Sequence, residues 1–299
     1  MTLHYTAGGT PADLLKAGFN LADVSSVDRL NLLPDGMKGL VWVGTNVGAT
    51  ATFQSFVRQF VGNPKLFGFR LGDEPDITGK YKTRTDPAAL MAESDFIHAT
   101  IPGAKTFVTL MDMGPYGAPD YSNTYNYANT HIDLFGIDPY PVRPSVYDVN
   151  YIDKAVDAAV KSGIELVRIV PVFQAFGGGS WTSNTGDGYK FPSIAQMTEM
   201  FQRWDRKVPN AQFDFAYVWE VKNGHTCIGG TSAAELAMRD IYRQHNTAVV
   251  APTSTAALTI EGQPATQAGI DALVAARNSA TAARDALAAK IAAGVKALS

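Results

Sequence analysis

A chain of 299 residues, 46% hydrophobic and 18% charged, carries enough apolar material for one large α/β domain or two ordinary ones. A formal net charge of -3, without any Lys/Arg cluster, excludes the basic field that nucleic acid or an anionic membrane surface requires. One cysteine, Cys227, excludes an internal disulfide, and no apolar run approaches the roughly 20 residues that span a bilayer.

In chain order, the opening "MTLHYTAGGT" lacks the charged and apolar regions of a secretory leader. The expectation is a cytoplasmic protein by default, with an extracellular or virion-associated one as the alternative. β-rich runs follow at 3–6, 19–24, 39–44, 66–72, 105–111, 132–138, 165–173 and 213–219. Helix signals lie between them. "TPADLLKAG" offers Thr10 as N-cap, Pro11 at the first helical position and Gly18 as a stop. "DPAALMAESDFIHATIPG" has the same capped start, and "SVYDVNYIDKAVDAAVKSG" closes on Lys, Ser and Gly. Eight strands alternating with helices over 1–247 predict a (β/α)8 TIM barrel, whose usual size is about 250 residues. An open doubly wound sheet would bring a glycine-rich phosphate turn after the first strand, and "YTAGGTPAD" lacks that spacing. Residues 248–265, rich in Thr, Ala and Pro, are expected to be a linker. Alanine-rich 266–299 is expected to form a C-terminal helix that docks on the barrel or self-associates through Leu287, Ile291, Val295 and Leu298.

Functional groups of such a barrel sit where strands end, and period-two alternation says which side chains enter the mouth. In the fourth run Phe67, Phe69 and Leu71 are expected to face the helices, leaving Gly68, Arg70, Gly72 and Glu74 inward. Asp73 and Asp76 fall to the turn, and Pro75 stops the strand. In the sixth run Gly136 and Asp138 face inward before Pro139. An inward glycine below each acid leaves room for substrate or answers a packing need. In the seventh, Val170, Val172 and Gln174 share the inner parity, making Gln174 a rim amide. In the eighth, Ala216, Val218 and Glu220 are expected inward and Trp219 outward. Asp23 has the outward parity and, with Asp112, is treated as background.

Two carboxyl groups converging among aromatic planes form the composition of a sugar-cleaving site. One must be protonated to donate to the leaving oxygen, the other ionised. The candidate catalytic residues are Glu74, Asp138 and Glu220. Asp73, Trp42, Tyr140, Gln174, Phe176, Trp181 and Trp219 are candidate substrate contacts, and Tyr116 also falls near a strand end. The five histidines lack ligand spacing, so no metal and no cofactor is expected.

"LLKAGFN", "NPKLFGFRLGDEPD", "IDLFGIDPYPV", "PVFQAFGGG", "FPSIAQMTEMFQRW" and "FAYVWE" together resemble, in order and spacing, barrel domains of bacterial glycoside hydrolases and hydrolase-like proteins with an Asp-Glu-Pro element after strand four. The resemblance spans about residues 11–220. It implies an oligo- or polysaccharide substrate and places the acid/base at Glu74. The nucleophile of the wider clan of retaining barrel hydrolases is a Glu at the end of strand seven, where this chain has Gln174. The second carboxylate is then Asp138 first and Glu220 second, or the barrel is a carbohydrate-binding or structural module without catalysis, tethered by its C-terminal helix. A third alternative is a metal-assisted hydrolase using Asp73, Asp138 and His225.

Overall fold

The computed structural model describes residues 2–181, 187–221 and 224–248, with the short stretches 259–260 and 263–264. The chain divides into two units, Met1–Thr247 and Ala248–Ser299. In the first, β1 (Leu3–Thr6), β2 (Leu21–Val24), β3 (Lys38–Trp42), β4 (Leu66–Asp73), β5 (Lys105–Thr109), β6 (Leu134–Ile137), β7 (Ile169–Gln174) and β9 (Phe213–Tyr217) form a closed parallel barrel in that order. Each of the eight expected runs contributes one strand. The seventh begins later than expected because Leu166–Arg168 wind into a 3-10 turn. β8 (Phe176–Gly178) and β10 (His225–Cys227) pair antiparallel outside the barrel.

Helices α1 (Pro11–Lys16), α2 (Val27–Asn31), α3 (Ala51–Arg58), α4 (Pro87–Thr100), α5 (Tyr127–Thr130), α6 (Asn150–Lys161), α7 (Ile194–Lys207) and α8 (Ala233–Thr247) alternate with the strands. Thr10, Ser26, Thr50, Asp86 and Ser193 each accept a first-turn N–H, which fixes where five of these helices begin. Among the described residues no helix is long and apolar enough to cross a membrane. In the second unit Thr259–Ile260 (β11) and Gln263–Pro264 (β12) form a short antiparallel pair within the segment expected as a linker. The expected helix at 266–299 lies outside the described residues.

Strand alternation splits the core into two layers. Tyr5, Leu21, Leu40, Phe107, Val172 and Phe215 fill the barrel interior. Val24, Val41, Phe69, Val108, Phe135 and Phe173 face the helices. Gly136 lies inward as expected, and a β-carbon there would stand 3.0 Å from Phe107 and 3.2 Å from Val172. That glycine answers a packing need.

One buried acid belongs to this frame rather than to the mouth. Glu93 of α4 is fully buried, and its Oε1 accepts the Gly48 N–H at 3.0 Å while Oε2 has no partner among the described residues. Burial pushes its pKa up from 4.5 to about 7. A carboxyl that binds its proton more tightly when folded favours folding below about pH 4.5, and that contribution is lost as pH rises to about 7. Glu93→Gln is therefore expected to gain up to about 3 kcal/mol over the native chain at pH 8 and much less at pH 4.5. Urea midpoints at the two pH values check this, and an equal difference at both would refute it.

Candidate active site

The mouth is organised by β4, which departs from simple alternation twice. Gly39 pairs with Leu66 but Leu40 pairs with Gly68, so Phe67 is an extra residue and turns inward, 5.6 Å from the Phe213 ring. Its expected helix-facing position is thereby corrected. Arg70 pairs with Phe107 but Gly72 pairs with Val108, a second slip that leaves Asp73 opposite Thr109. Val108 faces the helices and Phe107 the interior. Asp73 therefore takes the inner register, and the expected inward Gly72 does not. A β-carbon on Gly72 would lie 2.5 Å from the Asn46 side chain. Arg70 is buried with its guanidinium bonded to Asp73 and, at 3.1 Å, to the Thr109 hydroxyl, between the rings of Trp42 at 5.1 Å and Phe215 at 5.2 Å. Asp73 is thus the partner of a buried cation rather than a turn residue.

Glu74 reaches the mouth by a different route from the one alternation suggests. Its φ is +45°, its N–H donates to Thr109 O at 3.0 Å, and its carboxylate meets Lys82 at 3.2 Å. Behind it, fully buried Asp76 accepts the N–H groups of Thr78, Gly79, Tyr81 and Lys82 and the Thr78 hydroxyl. These bonds hold the Asp76 carboxyl far below the usual range even though burial opposes them, and they shape the loop that presents Lys82. Asp76 keeps the turn role expected of it.

Glu74 and Asp138 line one cavity of about 230 Å³. Asp112, Arg143, Tyr140, Tyr151 and Tyr189 complete its polar wall, with Tyr81, Met111 and Met113 beside them. Burial raises the Asp138 pKa well above the ordinary range, and the charges of Glu74, Asp73 and Asp112 add to it, while a hydrogen bond from Tyr140 opposes. Burial also raises Glu74, with Lys82 opposing and Asp73 adding. Asp112 is raised by burial against hydrogen bonds from Tyr151 and from Gly114 N–H at 2.9 Å. Each of the three carboxyl groups around this cavity is thus shifted toward its protonated form, chiefly by burial.

Asp112, expected to be background, is therefore a member of the site. Its signal was its place three residues past the last residue of β5. Arg143 and Tyr189 sit on loops without periodicity, and no pattern in the sequence points to them. Arg143 lies 4.0 Å over the Tyr116 ring and 5.4 Å from that of Tyr189. Tyr151 is the second residue of α6.

Gln174 is not a rim amide. It is fully buried, accepts Val142 N–H at 2.8 Å, and donates to Val142 O at 2.7 Å and Lys190 O at 3.0 Å. It pins Val142 and Lys190, whose chain neighbours Arg143 and Tyr189 line the cavity. Gln174→Ala is expected to cost about 3 kcal/mol, because it orphans buried backbone groups and opens a cavity. Chemical denaturation checks this, and a loss below about 1 kcal/mol would show the amide to be dispensable.

Within β9 the parity is opposite to the one expected, although Val218 just beyond it lies inward as expected. Phe213 and Phe215 face inward and Ala216 faces the helices. The large aromatics fill the barrel centre, where small residues were expected. Glu220 is exposed beside Gly8 and does not line the cavity. Trp219 faces outward as expected, 6.2 Å from Phe19, and so is not a substrate contact at the cavity. Phe176 is fully buried under Tyr140, Trp181 and Tyr189 and supports the wall rather than meeting substrate. Trp42 packs on Arg70, and Trp181 stacks on Tyr217 at 5.5 Å; neither lines the cavity. Tyr140 does. Asp23 shares the inner parity of Leu21 and accepts from the Tyr5 hydroxyl at 3.3 Å, which corrects its expected outward aim.

Among the described residues, Asp73, Asp138 and His225 do not converge as metal ligands. A larger recess of about 450 Å³ lies where α3 and α4 end and β4 and β5 begin, and no titratable side chain lines it.

No protein-family model and no curated protein matches the sequence. Solved structures do match the fold. A β-galactosidase from the psychrophilic Marinomonas ef1 superposes with a TM-score of 0.55 at 8% identity, covering 82% of this chain and 59% of its own. A putative α-L-fucosidase from Bacteroides thetaiotaomicron gives 0.51 at 11% identity, covering 82% and 93%. The C-terminal domain of a putative chitinase from Desulfitobacterium hafniense gives 0.51 at 10%, covering 82% and 99%. The chain therefore shares its barrel fold with these three structures.

Proposed function

We propose that this barrel hydrolyses a glycosidic bond of an oligo- or polysaccharide, with Glu74 and Asp138 as its carboxyl pair. The observation that carries the reading is their joint position in one cavity, with proton affinities raised by burial and, at Asp138, by the charge of Glu74. One proton shared between two such groups yields one donor and one anion, the pair that glycoside hydrolysis requires. Glu74, half-exposed and carried on the mouth turn, delivers the proton to the leaving oxygen. Asp138, further enclosed, is the nucleophile, base or charge stabiliser. Lys82 favours the ionised form of Glu74, so a bound sugar must displace that contact before Glu74 can donate. Tyr140 and Tyr189 offer planes for the apolar face of a sugar ring.

The glutamine that suggested a binding module without catalysis is committed to the loops, so it leaves the question of a second carboxylate to Asp138 and Asp112. Chitooligosaccharides, β-galactosides and α-L-fucosides, the classes suggested by the names of the fold neighbours, form the first test panel. Release of new reducing ends from at least one class is the expected result. Glycan binding without turnover over days would overturn hydrolysis in favour of the binding module.

A further inference from the structure

The histidines show no ligand spacing along the chain, yet closure of the barrel brings two of them together with an acid. His4 of β1 and Asp214 of β9 are register partners across the closing seam, with His4 Nδ1 2.8 Å from Asp214 Oδ2. His245, in the last turn of α8, packs against the same spot with its ring centroid 5.5 Å from that of His4. One ligand atom from each residue lies within 4.8 Å of the others. Exposure of the three side chains is 10% for His4, 7% for Asp214 and 15% for His245.

We propose that His4, Asp214 and His245 form a divalent transition-metal site, best suited to zinc, that fastens the first strand, the last barrel strand and the last helix to one another. Two imidazoles and one carboxylate are a borderline-soft donor set that suits zinc over magnesium or calcium. The strand that carries His4 and the ring of His245 are positioned by contacts of their own. The His4 backbone N–H donates to Asn20 Oδ1 at 2.8 Å, and the His245 ring stacks on Phe201 at 4.0 Å and meets Phe173 edge-on at 5.7 Å. His245 Nδ1 faces Asn246 Oδ1 at 3.0 Å, which places the proton on that nitrogen and leaves Nε2 its lone pair.

Tetrahedral zinc bonds of about 2.0–2.1 Å put ligand atoms roughly 3.3 Å apart, so the widest pair must close by at most about 1.5 Å. His245 stands two residues from the end of α8, where such a movement disturbs little helix. Two further groups lie near these ligands. Asp205 Oδ1 is 4.0 Å from His245 Nε2, within reach of a fourth position. Tyr242, one turn earlier on α8, buries a hydroxyl that has no hydrogen-bond partner among the described residues and feels the charge of Asp214. The site lies near the N-terminal ends of the strands, the end of a barrel that serves stability rather than chemistry.

The test uses the full chain without a histidine tag, stripped with chelator and titrated with Co²⁺, read by its visible d–d bands, and with Zn²⁺, read by elemental analysis after dialysis. The expected result is one equivalent per chain, with a raised Tm in Zn²⁺. Asp214→Asn and His245→Gln should each weaken Co²⁺ binding at least tenfold, whereas His131→Gln, at a surface His–Asp pair, should leave it unchanged. Failure of the native chain to retain either ion at micromolar concentrations would overturn the proposal, as would equal binding by all variants. Should Asp214→Asn not fold by circular dichroism, His245→Gln near the helix end decides alone.

Discussion

Glu74→Gln is expected to lower kcat on any responsive glycan by about 10²–10⁴-fold, the usual contribution of a positioned general acid, while leaving substrate affinity within a few-fold. The substitution keeps the shape of the side chain, and it removes both the titratable proton and the charge that pairs with Lys82. The loss should be smallest for substrates whose leaving group needs no protonation, such as dinitrophenyl glycosides, so comparing these with natural linkages isolates the acid role. Equal losses on both would move the acid elsewhere in the cavity, to Asp112 or Asp138. The fold is expected to survive, since Glu74 is half-exposed and its backbone N–H, not its side chain, bonds to Thr109.

Asp138→Asn is expected to lower kcat by at least about 10²-fold and to change the pH profile as well. Glu74 and Asp138 each disfavour the other's ionised form, a coupling that acts equally in both directions. A neutral amide at 138 removes that effect, so Glu74 should lose its proton at lower pH and the alkaline limb of kcat/KM should move acidward. A merely structural Asp138 predicts a fall in rate with no movement of the limb. The pH profile of residual activity therefore separates the two, and an unmoved limb would remove Asp138 from the carboxyl pair.

The barrel was legible because its signals are local and repeated. Capped helices such as Pro11–Lys16 and Pro87–Thr100 punctuate runs of β-forming residues, and each run closes one strand of the ring. Glu74 and Asp138 were legible because proline follows both and stops the strand at the mouth. The rest of the site was hidden for physical reasons. Alternation predicts direction only while pairing stays in step, and β4 slips twice, which reversed Phe67, Gly72 and Asp73. Gln174 carried the expected inward parity, but inward at the end of β7 proved to mean beneath two loops rather than at the rim. Arg143 and Tyr189 belong to loops, where no period exists to read. The seam that joins His4 to Asp214 spans 210 residues and exists only once the ring has closed.

The slip at Leu71 and Gly72 also bears on how the acids of such a mouth are assigned. Kept strictly in step, the same strand would turn Gly72 and Glu74 inward and Asp73 out; with one residue more than its partner, it seats Asp73 on Arg70 and leaves Glu74 to the turn. The pairing register of β4 against β5, and not the residue letters alone, therefore decides which acid meets the buried cation and which is left to the turn.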